Sequence, residues 1–386
     1  MSKIKVNSLE GVGASTPAIT IDNTSGAATA NLTALNSGQF ANRNVIINGE
    51  FQINQRGNKT GVNSSTYTLD RWYFDDSNGG TFSISKSGDR PDGFINSCKI
   101  DCTSTDSQGS ADYVLLQQKI EGLNVQRFAK GTSSAKEFAL SFYVKTNKTG
   151  VYTVELYDSP NNRSCSKTIT VANSNWNRYT LLFPADTTGS FNNNNLSNLG
   201  VNFWLGAGSN LTSGTLNTAW ATATLANRVS SSNVFMGDST SNEWYITGVQ
   251  LEVGSFSTEF EHKSVADDLL SCQRYYQIGP SESAPGVLAG RGAGTSAVFA
   301  SIPLICTMRA VPSLSESVLS GVYAYTYNSR PQASNGTVTT NSSNYNAHGG
   351  YLNLLISGFG GNISDDRICN IGGFATGDKI ILNAEL

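Results

Sequence analysis

Imidazole chemistry in this chain has two residues to draw on, His262 and His348, and they fall in different parts of it. A Ser–His–Asp triad needs a histidine held between a nucleophile and a carboxylate, and a multi-histidine zinc site needs several to converge. Two separated histidines all but exclude both. His262 precedes a candidate helix, where capping or packing is expected of it, while His348 stands in a polar stretch open to solvent or to a sugar. A serine nucleophile elbow needs Gly-x-Ser-x-Gly on a strand–turn–helix. Gly131-Thr132-Ser133-Ser134-Ala135 and Gly294-Thr295-Ser296-Ala297-Val298 lack the second glycine and a following helix. Gly290-Arg291-Gly292-Ala293-Gly294 has neither a Lys-Ser/Thr nor a helix N-terminus to cradle phosphate, and reads as a bulged turn.

Carboxylate pairs are harder to dismiss, because the two acids of a glycosidase need not be close in sequence. Asp75, Asp76 and Glu155 are available, yet nothing in their spacing selects them. Asp75-Asp76-Ser77-Asn78-Gly79-Gly80 offers oxygen ligands but misses the calcium-loop spacing and its terminal Glu, so it reads as a strand-ending turn. The six cysteines (Cys98, Cys102, Cys165, Cys272, Cys306, Cys369) are scattered, and only Cys98 and Cys102 lie close, at no zinc spacing. Reduced, mostly buried thiols are expected. Triplets such as Asn58-Lys59-Thr60 and Asn210-Leu211-Thr212 arise by chance in a chain so rich in Asn, Ser and Thr. The expectation is a protein without catalytic residues, metal ligands or cofactor.

The elements that position these residues follow from composition. A chain of 386 residues with 38% hydrophobic content supports two or three folded domains, and 14% charged residues is low for an ordinary cytoplasmic enzyme. Asn, Ser, Thr and Gly fill the difference; they suit turns and polar sheet faces and disfavour long helices. Net charge is −3 with no Lys/Arg block, which argues against a nucleic-acid partner. No stretch approaches the roughly 20 apolar residues of a membrane span, and Met1–Gly13 has no apolar signal core. Synthesis in the cytoplasm without membrane insertion is the expectation.

Residues 1–42 form an arm: Ile4–Asn7 and Ala18–Asp22 are short alternating strands, and Thr24–Phe40 is too polar to fold alone, which suggests pairing with other chains or a partner. From Asn44 strand-length segments repeat. Phe138, Leu140, Phe142 and Val144 share one face, and Val151–Tyr157, Lys167–Val171, Tyr179–Phe183, Leu199–Leu205 and Trp244–Val253 follow, separated by Asn/Ser/Gly clusters. Regular short strands mean a sandwich or barrel. Gly206–Asn233 reads as a surface loop or irregular edge. The one persuasive helix is Ser264–Gln277, with a capping-box-like start at Ser264 and Asp267 and an apolar stripe of Val265, Leu269, Cys272 and Tyr276. Beyond Gly279-Pro280 a second β module holds candidate strands Ala297–Ile302, Val318–Asn328, Tyr351–Ile356 and Asp378–Leu386, with the polar insertion Asn328–Gly350 as a long loop.

Several segments together resemble bacteriophage tail-fibre proteins. Asn42–Gly57 (Asn-Arg-Asn-Val-Ile-Ile-Asn-Gly-Glu-Phe-Gln-Ile-Asn-Gln-Arg-Gly) is similar to the opening of a module common in such fibres, and Tyr67–Tyr73 follows at the expected distance. The most specific run is Trp244–Ser255, continuing through Thr258–Glu261 to Ser271–Tyr276. Ile381–Leu386 is also similar to the end of many such chains. The middle module resembles carbohydrate-binding jelly rolls, which open with Asn-Gly-x-Phe, as at Asn48–Phe51, and close on a strand like Trp244–Val253. Some of those hold a structural calcium between these ends, but here Gln250 stands where an acidic ligand is common. The resemblance implies a homotrimeric virion protein of the phage tail. It would be mainly β, with an N-terminal extended arm attaching to other tail proteins (1–42), a central jelly-roll β-sandwich (43–262), a short connecting helix (263–278) and a C-terminal β-sandwich tip meeting the host (279–386).

Aromatic residues make up 10% of the chain; their faces suit sugar C–H surfaces, and Asn, Ser and Asp suit hydroxyls. Tyr323, Tyr325 and Tyr327 alternate onto one sheet face, suited to sugar stacking or to the core between subunits, the interface reading being preferred. Tyr345, His348 and Tyr351 belong to the insertion and its end, where specificity is expected. Trp72 and Trp244 read as core, whereas Trp176 and Trp220 flank polar loops and are surface candidates. The expected function is non-covalent, multivalent attachment to a host surface polysaccharide. A purely architectural head, collar or tail fibre is the alternative. A polysaccharide depolymerase is less favoured, because no repeat period of a β-helix is present.

Overall fold

The computed structural model describes residues 42–77, 79–281, 288–315, 318–319, 323–325, 333–340, 350–359, 363, 368–372 and 379–386, together with 8–9, 19–22, 24–25 and 28–30 near the N-terminus. The chain is mainly β, built from antiparallel sheets that pack as sandwiches. Near the N-terminus Ser8–Leu9, Ile19–Ile21 and Ala28–Ala30 form a small three-stranded sheet, with Ile4–Asn7 outside the described residues.

The central sandwich sets a six-stranded sheet against a seven-stranded one. The first runs Asn177–Phe183, Phe138–Thr146, Glu243–Val253, Ser97–Ser104, Thr81–Ser87, Lys59–Val62. The second runs Ala221–Thr222, Arg163–Val171, Gly150–Asp158, Ser197–Ala207, Tyr113–Glu121, Tyr73–Ser77, Thr66–Tyr67. Alternation explains the shared core: Phe138, Leu140, Phe142 and Val144 from one sheet meet Val114, Leu116, Val201 and Phe203 from the other, all buried. Trp72 and Trp244 lie in this core, with Phe51 stacked on Trp72 at 4.8 Å. The expected irregular edge is a short helical turn at Ser209–Thr212, a two-residue strand and a 3-10 turn at Leu225–Asn227.

The helix is shorter than its periodicity predicts. It spans Val265–Gln273, and the Ser264 hydroxyl caps it by accepting the Asp267 N–H at 3.1 Å. Tyr276 belongs instead to the strand Tyr276–Ser281, which pairs with Lys379–Asn383. The helix's buried residues are Asp268, Cys272 and Gln273, while Val265 is exposed; the Asp268 carboxylate earns its interior place by accepting the Asn48 N–H at 3.0 Å.

In the C-terminal module Tyr276–Ser281, Lys379–Asn383 and Ser313–Ser315 form one sheet. A seven-stranded sheet holds Val298, Ala300, Leu352, Leu354 and Ile356 in the module's core. Two expectations are corrected here. Part of the polar insertion is a strand, Ala333–Thr340, paired with Tyr351–Phe359. The glycine-rich run Gly290–Gly294 is largely strand too: Leu288–Gly292 pairs on both edges, and a Cβ at Gly290 would sit 2.4 Å from the Phe299 carbonyl oxygen. The module abuts the central sandwich through Glu385, which pairs with both Arg56 and Arg71.

Candidate functional site

Register on the outer face of the sandwich's seven-stranded sheet builds side chains into rows. Thr153, Trp204, Leu115 and Asp75 stand opposite one another on successive strands. Glu155, Asn202, Gln117 and Tyr73 form the next row, and Tyr157, Gly200 and Lys119 the one after. Each strand sends the intervening residues into the core, so one face of four strands is free to carry chemistry.

All of these but Thr153, Glu155 and Tyr73 floor a groove of about 580 Å³, and the irregular edge walls it with Asn210, Leu211, Leu225 and Arg228. Leu115, Trp204 and Leu211 also form a small apolar cluster of their own, with Tyr113 packed against it. Gly200 leaves the floor open between Tyr157 and Lys119, since its missing Cβ would have only Asn202 Oδ1 at 3.3 Å and Tyr157 at 3.8 Å as neighbours.

Electrostatics in the groove is settled internally. Glu155 has no exposed surface and receives Arg228 in a fork, Nε to Oε1 and Nη2 to Oε2, both at 2.8 Å. Asn202 Nδ2 at 2.9 Å and Trp204 Nε1 at 3.2 Å donate to the same carboxylate. Burial works to lower the Arg228 guanidinium, and the Glu155 charge and hydrogen bonds outweigh it, leaving the group above its ordinary value. Arg228 lies over the rings of Tyr157 at 4.8 Å and Trp204 at 5.2 Å. At the other end Asp75 accepts from Ser65 Oγ at 2.5 Å, Gln117 Nε2 at 3.1 Å and Tyr113 Oη at 3.4 Å. Burial lowers the Lys119 ammonium, opposed by the charge of Asp75. One buried polar atom on the floor, Asn202 Oδ1, has no hydrogen-bond partner among the described residues.

The residues selected from sequence lie elsewhere. Trp176 donates to Asp89 at 2.9 Å and meets Tyr245 edge-on. Trp220 is partly buried against the core, donating to the Pro184 carbonyl at 2.8 Å, 5.6 Å from the Phe138 ring. Neither lines the groove. Tyr351 opens the strand Tyr351–Phe359 in the C-terminal sheet and is exposed. Tyr323 and Tyr325 are in an edge strand of that sheet, while Tyr327, Tyr345 and His348 lie outside the described residues. His262 packs against Phe94 and Phe260 and contacts Glu50.

Where the resemblance places a calcium, Gln250 is fully buried. Its amide donates to Glu252 at 2.9 Å, Thr258 at 3.1 Å and the Glu259 carbonyl at 3.2 Å, and its Oε1 accepts the Glu261 N–H at 2.8 Å. An amide donor therefore faces the carboxylate that a cation would need, and the described residues contain no group of three or more His, Cys, Asp or Glu able to hold a metal. Among the described residues no helix is long and apolar enough to cross a membrane.

Fold and groove together define a two-sheet β-sandwich with an open trough on one sheet face. No protein-family model matches the chain, and no curated protein matches its sequence. Among solved structures it is similar to a cyclase from Fischerella sp. TAU, with TM-score 0.33 and 12% identity over 56% of this chain and 98% of that one. It is also similar to TmCBM61 in complex with beta-1,4-galactotriose, with TM-score 0.29 and 8% identity over 55% and 99%. A third is the CBM22-1–GH10 module pair of Clostridium thermocellum endo-1,4-beta-D-xylanase 10B complexed with xylohexaose, with TM-score 0.28 and 12% identity; the match covers 55% of this chain and 29% of the xylanase chain.

Proposed function

We propose that this chain is a non-catalytic, glycan-binding fibre protein of a bacteriophage virion, and that its sandwich groove grips a host surface polysaccharide. The groove carries the reading: a trough bearing the half-buried rings of Tyr113 and Tyr157 and edged by Asn, Gln and Ser side chains matches the alternating C–H faces and hydroxyl edges of a sugar chain. Asp75, the carboxylate on its lining, is engaged by Gln117 and Ser65, and Glu155 lies buried beneath the groove on Arg228, which supports binding without hydrolysis. The virion setting rests on the tail-fibre resemblance of Asn42–Gly57 and Trp244–Tyr276. Homotrimerisation and attachment of the arm to other tail proteins come with it, and three linked copies would multiply a weak single-site affinity. The module works without a bound metal, Gln250 holding the closing strand in a cation's place.

The test is adsorption competition. Purified protein pre-incubated with host cells is expected to block particle adsorption, and Tyr113→Ala/Tyr157→Ala protein to lose that block while keeping its melting temperature. Groove variants that compete as well as the unmodified chain would overturn the groove assignment. Location of the chain on the head or collar by particle imaging would favour the architectural alternative.

A further inference from the structure

We infer that the groove selects a neutral glycan built from 2-acetamido sugars, an inference that rests on the glycan reading above and narrows it to a substrate class. Three observations meet here. Charge comes first: the Arg228 cation is matched by the buried Glu155 in a two-point contact, and Lys119 is engaged by the Leu386 carbonyl oxygen at 3.3 Å and lies 5.0 Å over the Tyr73 ring. A uronate or sialate would bring a carboxylate into a trough whose cations already have partners, beside the further negative charge of Asp75.

Apolar lining comes second. Leu225 and Leu386 present apolar side chains to the groove besides its aromatic rings, over the buried Leu115 and Leu211. Flat rings serve the C–H face of a hexose, but leucines set against hydroxyl edges would strip water from them without returning a hydrogen bond. A ligand methyl group resolves the mismatch. Leu225 is 56% exposed, so its side chain is presented at the rim rather than consumed by the core.

The third is the unpartnered acceptor. Asn202 is 4% exposed, and its Nδ2 is fixed on Glu155, which leaves Oδ1 on the floor beside Gly200 with no donor among the described residues. A buried carbonyl oxygen in that state calls for a donor from the ligand. An acetamido group presents an N–H donor and a methyl within one substituent, and thus answers both the Asn202 acceptor and the leucines.

An array of immobilised glycans tests this with the full chain. Chitohexaose and cellohexaose share a backbone and differ by the N-acetyl groups; hyaluronan hexasaccharide adds carboxylates to acetamido sugars. Polymers of N-acetylgalactosamine and of plain galactose extend the comparison to other linkages. Retention is expected on neutral acetamido glycans, weaker by at least about fourfold for each buried methyl group removed. Leu225→Asn, at an exposed site, is expected to weaken it by a similar factor, and Tyr157→Ala to abolish it. Retention of plain or anionic glycans that is equal or stronger, and lost in Tyr157→Ala, would overturn the acetamido inference while leaving the glycan reading standing. Retention by no class, or retention indifferent to Tyr157→Ala, would overturn the groove reading and this inference with it.

Discussion

Arg228 closes on Glu155 in a planar fork of two 2.8 Å hydrogen bonds, joining the irregular edge of the sandwich to the floor of its groove. The carboxylate also receives Asn202 and Trp204, so a single buried acid fixes three groove side chains. Glu155→Gln leaves the Arg228 cation beside a neutral amide and is expected to cost roughly 3 kcal/mol of stability, as a broken buried pair does. Urea unfolding measures that cost. A change below about 0.5 kcal/mol would show that the fork does not hold the edge in place.

Gly200 offers a way to fill the groove without disturbing the core. A Cβ there meets nothing closer than 3.3 Å, and a longer side chain projects from the outer face between Tyr157 and Lys119. Gly200→Leu is expected to leave stability within about 1 kcal/mol of the unmodified protein while reducing glycan binding at least tenfold. Unchanged binding in isothermal titration would place the ligand off this floor.

Sequence patterning reaches the scaffold and misses the groove, and the reason is geometric. Phe138–Val144 shows its strand because only one face is strongly apolar, and Ser264 announces its helix because a cap is local chemistry. Tyr113–Glu121 hides: Val114, Leu115 and Leu116 are all apolar, one facing the small outer cluster and two the core. Its two-residue alternation is therefore lost. The groove itself joins Asp75, Gln117 and Asn202 through sheet register, above the buried Glu155, and Arg228 through the irregular edge. Asp75 and Glu155 are conspicuous as carboxylates in the sequence, yet nothing there reveals that one lines the trough and the other lies buried beneath it. Trp220 misleads in the opposite sense, because a tryptophan beside a polar loop need not face water.

Asp76 gives the fold a pH dependence of definite sign. Burial, with the nearby charge of Asp75, outweighs the Gly79 N–H bond and pushes its carboxyl up to about 6. The folded chain then holds this proton more tightly than the unfolded chain, whose aspartate titrates near 4. The stabilisation is fully present below about pH 4 and lost as pH rises towards 6. Asp76→Asn, which mimics the neutral form, is expected to gain on the unmodified protein by on the order of 2 kcal/mol between pH 4 and pH 7. Parallel denaturation curves at the two pH values would contradict this.

Removing divalent metal tests the Gln250 arrangement. The Gln250 amide bridges Glu252, Thr258 and Glu259, and the Arg43 guanidinium approaches Glu252 at 3.6 Å, so the end of the closing strand has protein partners where a cation would sit. Neither excess chelator nor added calcium is expected to move the melting temperature by more than about 1 °C, whereas a bound ion at a hundred times its Kd would add roughly 2.7 kcal/mol. A calcium-dependent rise in melting temperature would assign an ion to this strand.

Lys130 is the groove's counterpart in the interior, a cation with no exposed surface whose partners are all supplied by the fold. Its ammonium meets Asp158 at 2.5 Å and Asp186 at 2.9 Å, and donates to the carbonyls of Thr188 at 2.9 Å and Gly189 at 2.8 Å. The Trp220 ring, 4.9 Å away, forms part of the cage, which gives that residue a structural role. Arg163 also grips Asp186, so removing the lysine strands mainly Asp158, whose remaining partner is the Asn161 side chain and backbone. Lys130→Met is therefore expected to cost about 3–5 kcal/mol. Adding Asp158→Asn, which removes the stranded charge, should return at least half of that loss, a coupling that a double-mutant cycle in urea reads directly. Additive losses would mean that the cost lies in packing around the lysine stem instead of in the uncompensated carboxylate.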